Sequence, residues 1–273
     1  SVALLTSTLD SGLDLLSGVI VFATSRAVRN TNRYEYPQGK SRLEPLAVIV
    51  FASVMGIAAM QVVLNGTLDL VKGIASGSGG DYLDAVNAVT LAAIGVVVVV
   101  KSVLWGVGRA LASASTSPTT SALTEDHRND TLSNGISAVA LFLASSVGQL
   151  WWLDAVCGIG MAIFIVVAWA RTGWLHVQQL TGLAAPPELV NRLAFIALHH
   201  DERVTFVDTV RAYYFGTGVF AEVDIGLPPD TPFKEAHDIG ESLQHKLQLE
   251  AEVERAFVHL DYEATHDPDL EHA

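Results

Sequence analysis

Cysteine is nearly missing from this chain: Cys157 stands alone in an apolar run. One thiol can neither close an intrachain disulfide nor build a cysteine zinc cluster. Basic residues are also scarce. Sixteen Lys and Arg face 29 Asp and Glu, a formal charge of −13, and no basic stripe is left to neutralise phosphates. That excludes nucleic acid as a partner. No Ser/His/Asp arrangement or glycine-rich phosphate cradle is present, so neither an enzyme nor a bound cofactor is expected. Gly39-Lys40-Ser41 fails as a nucleotide loop, because Tyr34 stands where that motif needs its first glycine. An apolar helix also precedes it where a strand is required.

Apolar residues, by contrast, are plentiful. Half of the 273 residues are hydrophobic, 16% are charged, and the mean hydropathy is +0.38. The average conceals two parts. Residues 1–180 read as a membrane domain, residues 186–263 as a small acidic soluble domain, and residues 264–273 as an acidic tail. Five apolar spans are expected, near residues 11–27, 43–70, 83–112, 123–149 and 151–174, each close to or beyond the twenty or so residues that cross a bilayer. Residues 73–80 read as a flexible turn and residues 113–120 as a polar loop. Trp151 and Trp174 frame the last span as interface anchors. Arg26, Arg29, Arg33, Lys40 and Arg42 crowd one loop, while the opposite loops carry little beyond Lys72. The positive-inside rule therefore puts the Arg-rich loop and the C-terminal domain in the cytoplasm. Five spans with a cytoplasmic end would leave the start outside, and one further preceding helix would restore it.

After Pro186 the periodicity changes. A helix is expected over 188–199, a hairpin over 204–215 and 219–227, a helix over 232–249 and a strand over 252–262. The αββαβ order fits helices packed on one side of a small sheet.

The stretch Thr124-Glu-Asp-His-Arg-Asn-Asp-Thr-Leu-Ser-Asn-Gly135 carries most of the chemistry. Charge at a membrane helix is costly and is usually kept for a task. Asp126 and Asp130 are four apart and share one helical face. Asp10 and Asp14 repeat that spacing in another apolar segment. The bland reading is helix capping or headgroup-level water. The sharper one is four carboxylates around one point, a donor set suited to a hard divalent cation. Clustered carboxylates bind either a cation or protons, so one can displace the other. His127 lies about 100° round the helix from Asp126 and reads as a neighbour. Asn129 and Asn134 offer amide oxygens or interhelical hydrogen bonds. Lys101, after the valines 96–100, reads as snorkelling or as paired with a carboxylate. In the soluble part, His259 and Asp261 share a strand face, with Asp208 and Asp224 on the hairpin. A solvated acidic face and a metal site both remain open there. The other histidines of this part, among them His199, His200, His237 and His245, read as surface residues.

The chain resembles the cation diffusion facilitator, or metal tolerance protein, family. The residues that carry the likeness are Asp10-Ser-Gly-Leu-Asp14, Tyr36-Pro-Gln-Gly-Lys-Ser-Arg-Leu-Glu44, Asp126-His-Arg-Asn-Asp130 with Ser133-Asn134, and Trp151-Trp-Leu-Asp154. In the soluble part they are Val207-Asp-Thr-Val-Arg-Ala-Tyr213, Glu222-Val-Asp-Ile225, Glu235-Ala-His237 and Val253 to Asp261. The resemblance implies a bundle of six membrane helices, five of them visible here, and a cytoplasmic αββαβ dimerisation domain. It further implies a homodimer in a lipid bilayer that exports a divalent cation from the cytosol in exchange for protons. Zinc members usually carry histidine where Asp10 and Asp126 stand, so an all-carboxylate quartet of Asp10, Asp14, Asp126 and Asp130 is similar to the manganese branch of plants, fungi and algae. Golgi, prevacuolar or vacuolar membranes are the implied locations, with the plasma membrane as the alternative. Asp208, Asp224, His259 and Asp261 match the zinc relatives' cytoplasmic ligand positions, with aspartate largely replacing histidine. The competing readings are a Zn2+ or Fe2+ exporter of the same fold and a membrane-tethered metal sensor.

Overall fold

The computed structural model describes residue 16 and residues 18–76, 88–114, 117–147 and 150–263. Two compact units divide the chain, 1–177 and 178–273. Five helices make up the described part of the first: α1 (residues 18–29), α2 (Leu43–Ser76), α3 (Ala88–Ala114), α4 (Pro118–Ser146) and α5 (Leu153–Leu180).

Three of these, α2, α3 and α5, are long and apolar enough to cross a membrane. The valines 96–100 would disfavour a helix in water, because β-branched side chains lose χ1 freedom there. Lipid reverses the preference, since only intrahelical bonding satisfies every backbone group. The apolar residues of these helices point largely outward: Ile57 is 70% exposed, Val99 64% and Val96 63%. In water such a surface would drive aggregation, and in hydrocarbon it costs nothing. Residues 43–75 of α2 span about 50 Å at 1.5 Å per residue, against about 30 Å of hydrocarbon, so α2 tilts or projects. Helix α4, expected as an apolar span over 123–149, is not among the three, because the polar stretch 124–135 lies within it. Its Ala122 packs with Val48, Phe51 and Ala52 of α2 and with Trp169 of α5. Phe51 and Trp169 meet edge to face at 4.9 Å.

Several expected boundaries are corrected. Helix α2 continues through Gly73 to Ser76 where a turn over 73–80 was expected; residues 77–80 lie outside the described residues. Gly73 is a packing residue, because a Cβ there would stand 2.2 Å from a ring carbon of Trp151. Helix α4 begins at Pro118, inside the expected loop 113–120. Proline at the first helical turn gives up an N–H that would have had no partner, and its φ suits the helix. Helix α4 ends at Ser146 and not near 149, while α5 runs six residues beyond Trp174 to Leu180. An aromatic anchor marks where lipid ends, not where backbone bonding ends. Gly182, at φ +83, follows α5, and the Leu183 N–H closes the helix on the Gln178 carbonyl at 3.0 Å. The expected starts of the first and third spans fall on residues outside those described.

The second unit has the expected αββαβ order: α6 (Pro187–Leu198), β1 (Phe206–Phe215), β2 (Gly218–Gly226), α7 (Phe233–Leu247) and β3 (Val253–Asp261). The sheet order is β1-β2-β3, with β1 antiparallel and β3 parallel to β2. A two-residue loop joins β1 to β2, and Gly216 supplies the positive φ of 79 at its first position. The parallel pair needs a crossover, and α7 provides it. Leu189, Leu193 and Ala197 of α6 and Ile239, Leu243 and Leu247 of α7 repeat at near four-residue spacing, so each helix buries one stripe. They cover Val219, Ala221, Val223 and Ile225 of β2, all at most 2% exposed. Strand alternation then turns Phe220, Glu222 and Asp224 to the opposite face.

On that opposite face Phe215 stacks on Phe220 at 4.3 Å, and the Tyr213 hydroxyl donates to a Glu222 carboxylate oxygen. Donation to the carboxylate, with some desolvation, pushes the Tyr213 phenol up to about 12. Ahead of β1, Asp201 accepts from the Arg203 backbone N–H and from its guanidinium, which holds the Asp201 carboxyl at about 2. The folded state keeps the Tyr213 proton more tightly than an unfolded chain, where a phenol ionises near pH 10. Its stabilising contribution is therefore complete below about pH 10 and is lost as pH rises through about 12. Denaturant titrations of wild type and Tyr213→Phe should diverge over that window, with only the wild type showing the extra alkaline loss. Parallel curves would remove this pair from the stability of the sheet.

Candidate metal centre

Residues 124–135 lie wholly within α4. Helical spacing puts Asp126, Asn129 and Asp130 on one side, and Asp126 and Asn129 are only 1% and 2% exposed. One ligand atom each from Asp126, His127 and Asp130 fall within 4.8 Å of one another. His127 thus joins the two aspartates, where the helical wheel had turned it away. It is three residues from Asp130, an adjacent position on a helix, and the length of an imidazole side chain spans the remaining angle. Asn134 donates an amide N–H to the Asp130 backbone carbonyl, within its own helix, at 2.8 Å. Ser133 donates to the same carbonyl at 3.2 Å. Asn129 Oδ1 accepts from Arg128 at 3.3 Å. Asp10 and Asp14, the other half of the expected quartet, lie outside the described residues.

A cation is built in beside this group. Lys101 Nζ of α3 lies 2.7 Å from Asp130 Oδ2, with both side chains largely buried. Gly108 makes the approach of the two helices possible, since a Cβ there would meet Thr124 Oγ1 at 2.7 Å. From Gly108 back to Lys101 is seven residues, and from Thr124 on to Asp130 is six. At 1.5 Å per residue both are about 10 Å, so antiparallel helices pinned at Gly108 bring Lys101 level with Asp130. Sequence reasoning left Lys101 between snorkelling and pairing. The overlooked signal was its position, tenth of the twenty residues in the apolar stretch 92–111.

A second cluster lies on the open face of the three-stranded sheet. Asp224 of β2 and His259 of β3 are register partners, and Asp261 follows on the same face. His259 Nδ1 is 3.8 Å from Asp224 Oδ1 and 3.5 Å from Asp261 Oδ2. Both distances are too long for good hydrogen bonds. The Asp224 and Asp261 side chains are 6% and 13% exposed, beneath a His259 ring that is 55% exposed. Asp208 is the extra residue of a β-bulge between Val207 and Thr209, and it accepts from the Thr209 hydroxyl at 3.1 Å. The structure therefore brings Asp224 and Asp261 to the His259 imidazole, three of the four expected residues together, while Asp208 accepts from Thr209. A third acidic group, His237, Asp238 and Glu241, is exposed throughout and reads as the solvated side of α7.

Comparisons with known proteins agree with this layout. Residues 1–181 match the cation efflux transmembrane domain, and residues 185–263 match the cytoplasmic domain of cation efflux proteins. The chain is 42% identical over 270 residues to metal tolerance protein 10 of Arabidopsis thaliana, covering 98% of this chain and 60% of that protein. It is 42% identical over 270 residues to metal tolerance protein 7 of Oryza sativa subsp. japonica, covering 98% and 66%. The chain thus spans less than two thirds of the length of either relative. Among solved structures, the cadmium form of a MamM CTD variant is 27% identical with a TM-score of 0.27, covering 28% of this chain and 96% of that one. With both of its units matched, the first as a membrane-spanning domain and the second as a cytoplasmic one, the chain belongs to the cation efflux family.

Proposed function

We propose that the protein exports a divalent cation from the cytosol in exchange for protons, with Mn2+ as the preferred ion. The observation that carries the reading is the group formed by Asp126, His127 and Asp130, whose ligand atoms lie within 4.8 Å on a helix packed among lipid-facing helices. A carboxylate lone pair takes either a proton or a metal, so release of one makes room for the other. Asp10 and Asp14 would complete the ligand set from the first span. Oxygen donors suit Mn2+, but raw affinity does not select it, because Mn2+ is the weakest binder of the first-row divalent series. Selectivity then depends on coordination number and on the size of the site. The proposal includes a homodimer formed through the cytoplasmic domain and the membrane helices, acting in a Golgi, prevacuolar or vacuolar membrane.

His127 favours a second reading, a Zn2+ or Fe2+ exporter. It adds an imidazole to the described cluster, and imidazole suits Zn2+ and Fe2+ better than Mn2+. Reconstituted vesicles with an outward proton gradient separate these readings. Asp126→Ala or Asp130→Ala should lower Mn2+ uptake by more than about tenfold, or 1.4 kcal/mol of binding free energy. Uptake at the wild-type rate in either variant would refute the site. Protein that binds the ion yet moves none would instead be a sensor. His127→Ala should leave Mn2+ uptake intact and reduce competition by Zn2+. If Mn2+ uptake collapses while Zn2+ is the ion that wild type prefers, the imidazole is a working ligand and the second reading holds.

The sheet site would take the same class of ion on the cytosolic side. Asp261 Oδ2 is buried without a hydrogen-bond partner, a fit for a cation held against Asp224 and His259. A ligand that binds only the folded state raises its stability. Millimolar Mn2+ should raise the melting temperature of the cytoplasmic unit, and Asp224→Asn combined with His259→Ala should cancel the shift. An equal shift in that double variant would leave the sheet face as a solvated acidic surface.

A further inference from the structure

We propose that Lys101 is a tethered competitor for the transported ion. Its ammonium holds the Asp130 carboxylate between transport events and is displaced when the metal binds, so this one residue sets how tightly the site can hold its cargo. The inference rests on Asp130 being an ion ligand, as proposed above.

Placement excludes the ordinary explanation of a lysine in a membrane helix. Lysines near helix ends bury their stems and send the ammonium to the headgroups. Lys101 is the tenth of twenty residues in the apolar stretch 92–111, which puts it about 15 Å along the helix from either end. Its four-carbon stem reaches less than half that distance. The residue is 9% exposed and its ammonium is 2.7 Å from Asp130 Oδ2. Its neighbours Val99, Val100 and Val103 are half or more exposed, so an apolar residue at 101 would suit this helix better wherever it faced lipid. The pinch of Gly108 on Thr124 holds the two helices at the distance where the pair forms.

Charge and space make the pair exclusive with a metal on the same oxygen. Hard divalent ions sit about 2.0–2.6 Å from a carboxylate oxygen. An ion at Asp130 Oδ2 would share that oxygen with an ammonium 2.7 Å away, and two cations that close in a dry site repel strongly. Lysine is suited to yielding: it is a point charge on a flexible stem and can swing aside without leaving the protein. A transporter needs this moderation, because a site must bind well enough to load and weakly enough to release. The lysine returns as the ion departs and keeps Asp130 paired while the helices move.

The test is Mn2+ binding by calorimetry to the full protein in detergent, with the sheet site removed by Asp224→Asn and His259→Ala in every sample, beside initial uptake rates in vesicles. Lys101→Met removes the competitor. It should lower the Mn2+ dissociation constant by about tenfold and also slow turnover, so KM and kcat fall together. Lys101→Arg replaces a yielding cation by a planar fork that grips a carboxylate through two bonds. Its Mn2+ binding should be weaker than wild type. A merely structural ion pair predicts the reverse order, damage in the methionine variant and rescue in the arginine variant, and that result would overturn the proposal. Should Lys101→Met fail to fold, Lys101→Arg decides alone, and affinity equal to or tighter than wild type refutes the idea. Asp130→Asn separates the two levels of inference. If it binds Mn2+ as wild type does, the ion site itself is wrong. If it loses Mn2+ while Lys101→Met binds unchanged, only the competitor role falls.

Discussion

Charge placed inside hydrocarbon needs an opposite charge within reach, because no water is there to screen it. That constraint organises the membrane unit. Lys101 cannot reach a headgroup from the middle of α3, and it pairs with the Asp130 carboxylate on α4. Pairing the two requires close helices, and close helices require a residue without a side chain, which Gly108 supplies opposite Thr124. Asp126 and His127 then ride on the same stretch of α4 as Asp130 and are gathered with it. A single electrostatic demand thus links the glycine, the polar character of α4 and the ligand cluster.

The two units solve opposite solvent problems with similar residues. Around α2, α3 and α5 large apolar side chains face outward and buried contacts are small, as with Ala52, Ala59 and Ala122. In the cytoplasmic unit Leu189, Leu193, Leu243 and Leu247 are fully covered and hold two helices on one sheet face. Aspartate shifts meaning accordingly. Asp126 is buried among helices, whereas Asp224 and Asp261 lie in the floor of a sheet face that opens to water through the His259 ring. Solvent meets the second cluster directly, while the first is closed off between helices.

Much of this was legible along the chain. A long apolar helix satisfies its own backbone in lipid, so the spans of α2, α3 and α5 were readable, whereas α4, expected as an apolar span, is too polar to count among them. The αββαβ order followed from stripes in α6 and α7 and from alternation in the strands. Boundaries were less legible. Gly73 looked like a turn and is the flat spot under Trp151, and Pro118 looked like a loop and opens α4. Trp174 marked an interface, yet the helix continued to Leu180. In each case local residue preference was outweighed by a contact or by a backbone rule that depends on what lies beyond the sequence window.

By itself the sequence determined which residues can share a face, since periods of 3.6 and 2 belong to the backbone and need no partner. The Asp126 and Asp130 spacing, the pairing of His259 with Asp261 on one side of a strand, and the segregation of lipid-type from water-type segments are of that kind. Only the tertiary structure decided which faces meet. The register of α3 against α4 that delivers Lys101 to Asp130 and the alignment of Asp224 with His259 in the parallel pair both arise between elements. Such contacts are set by close packing over many residues at once, and no short window of sequence contains them.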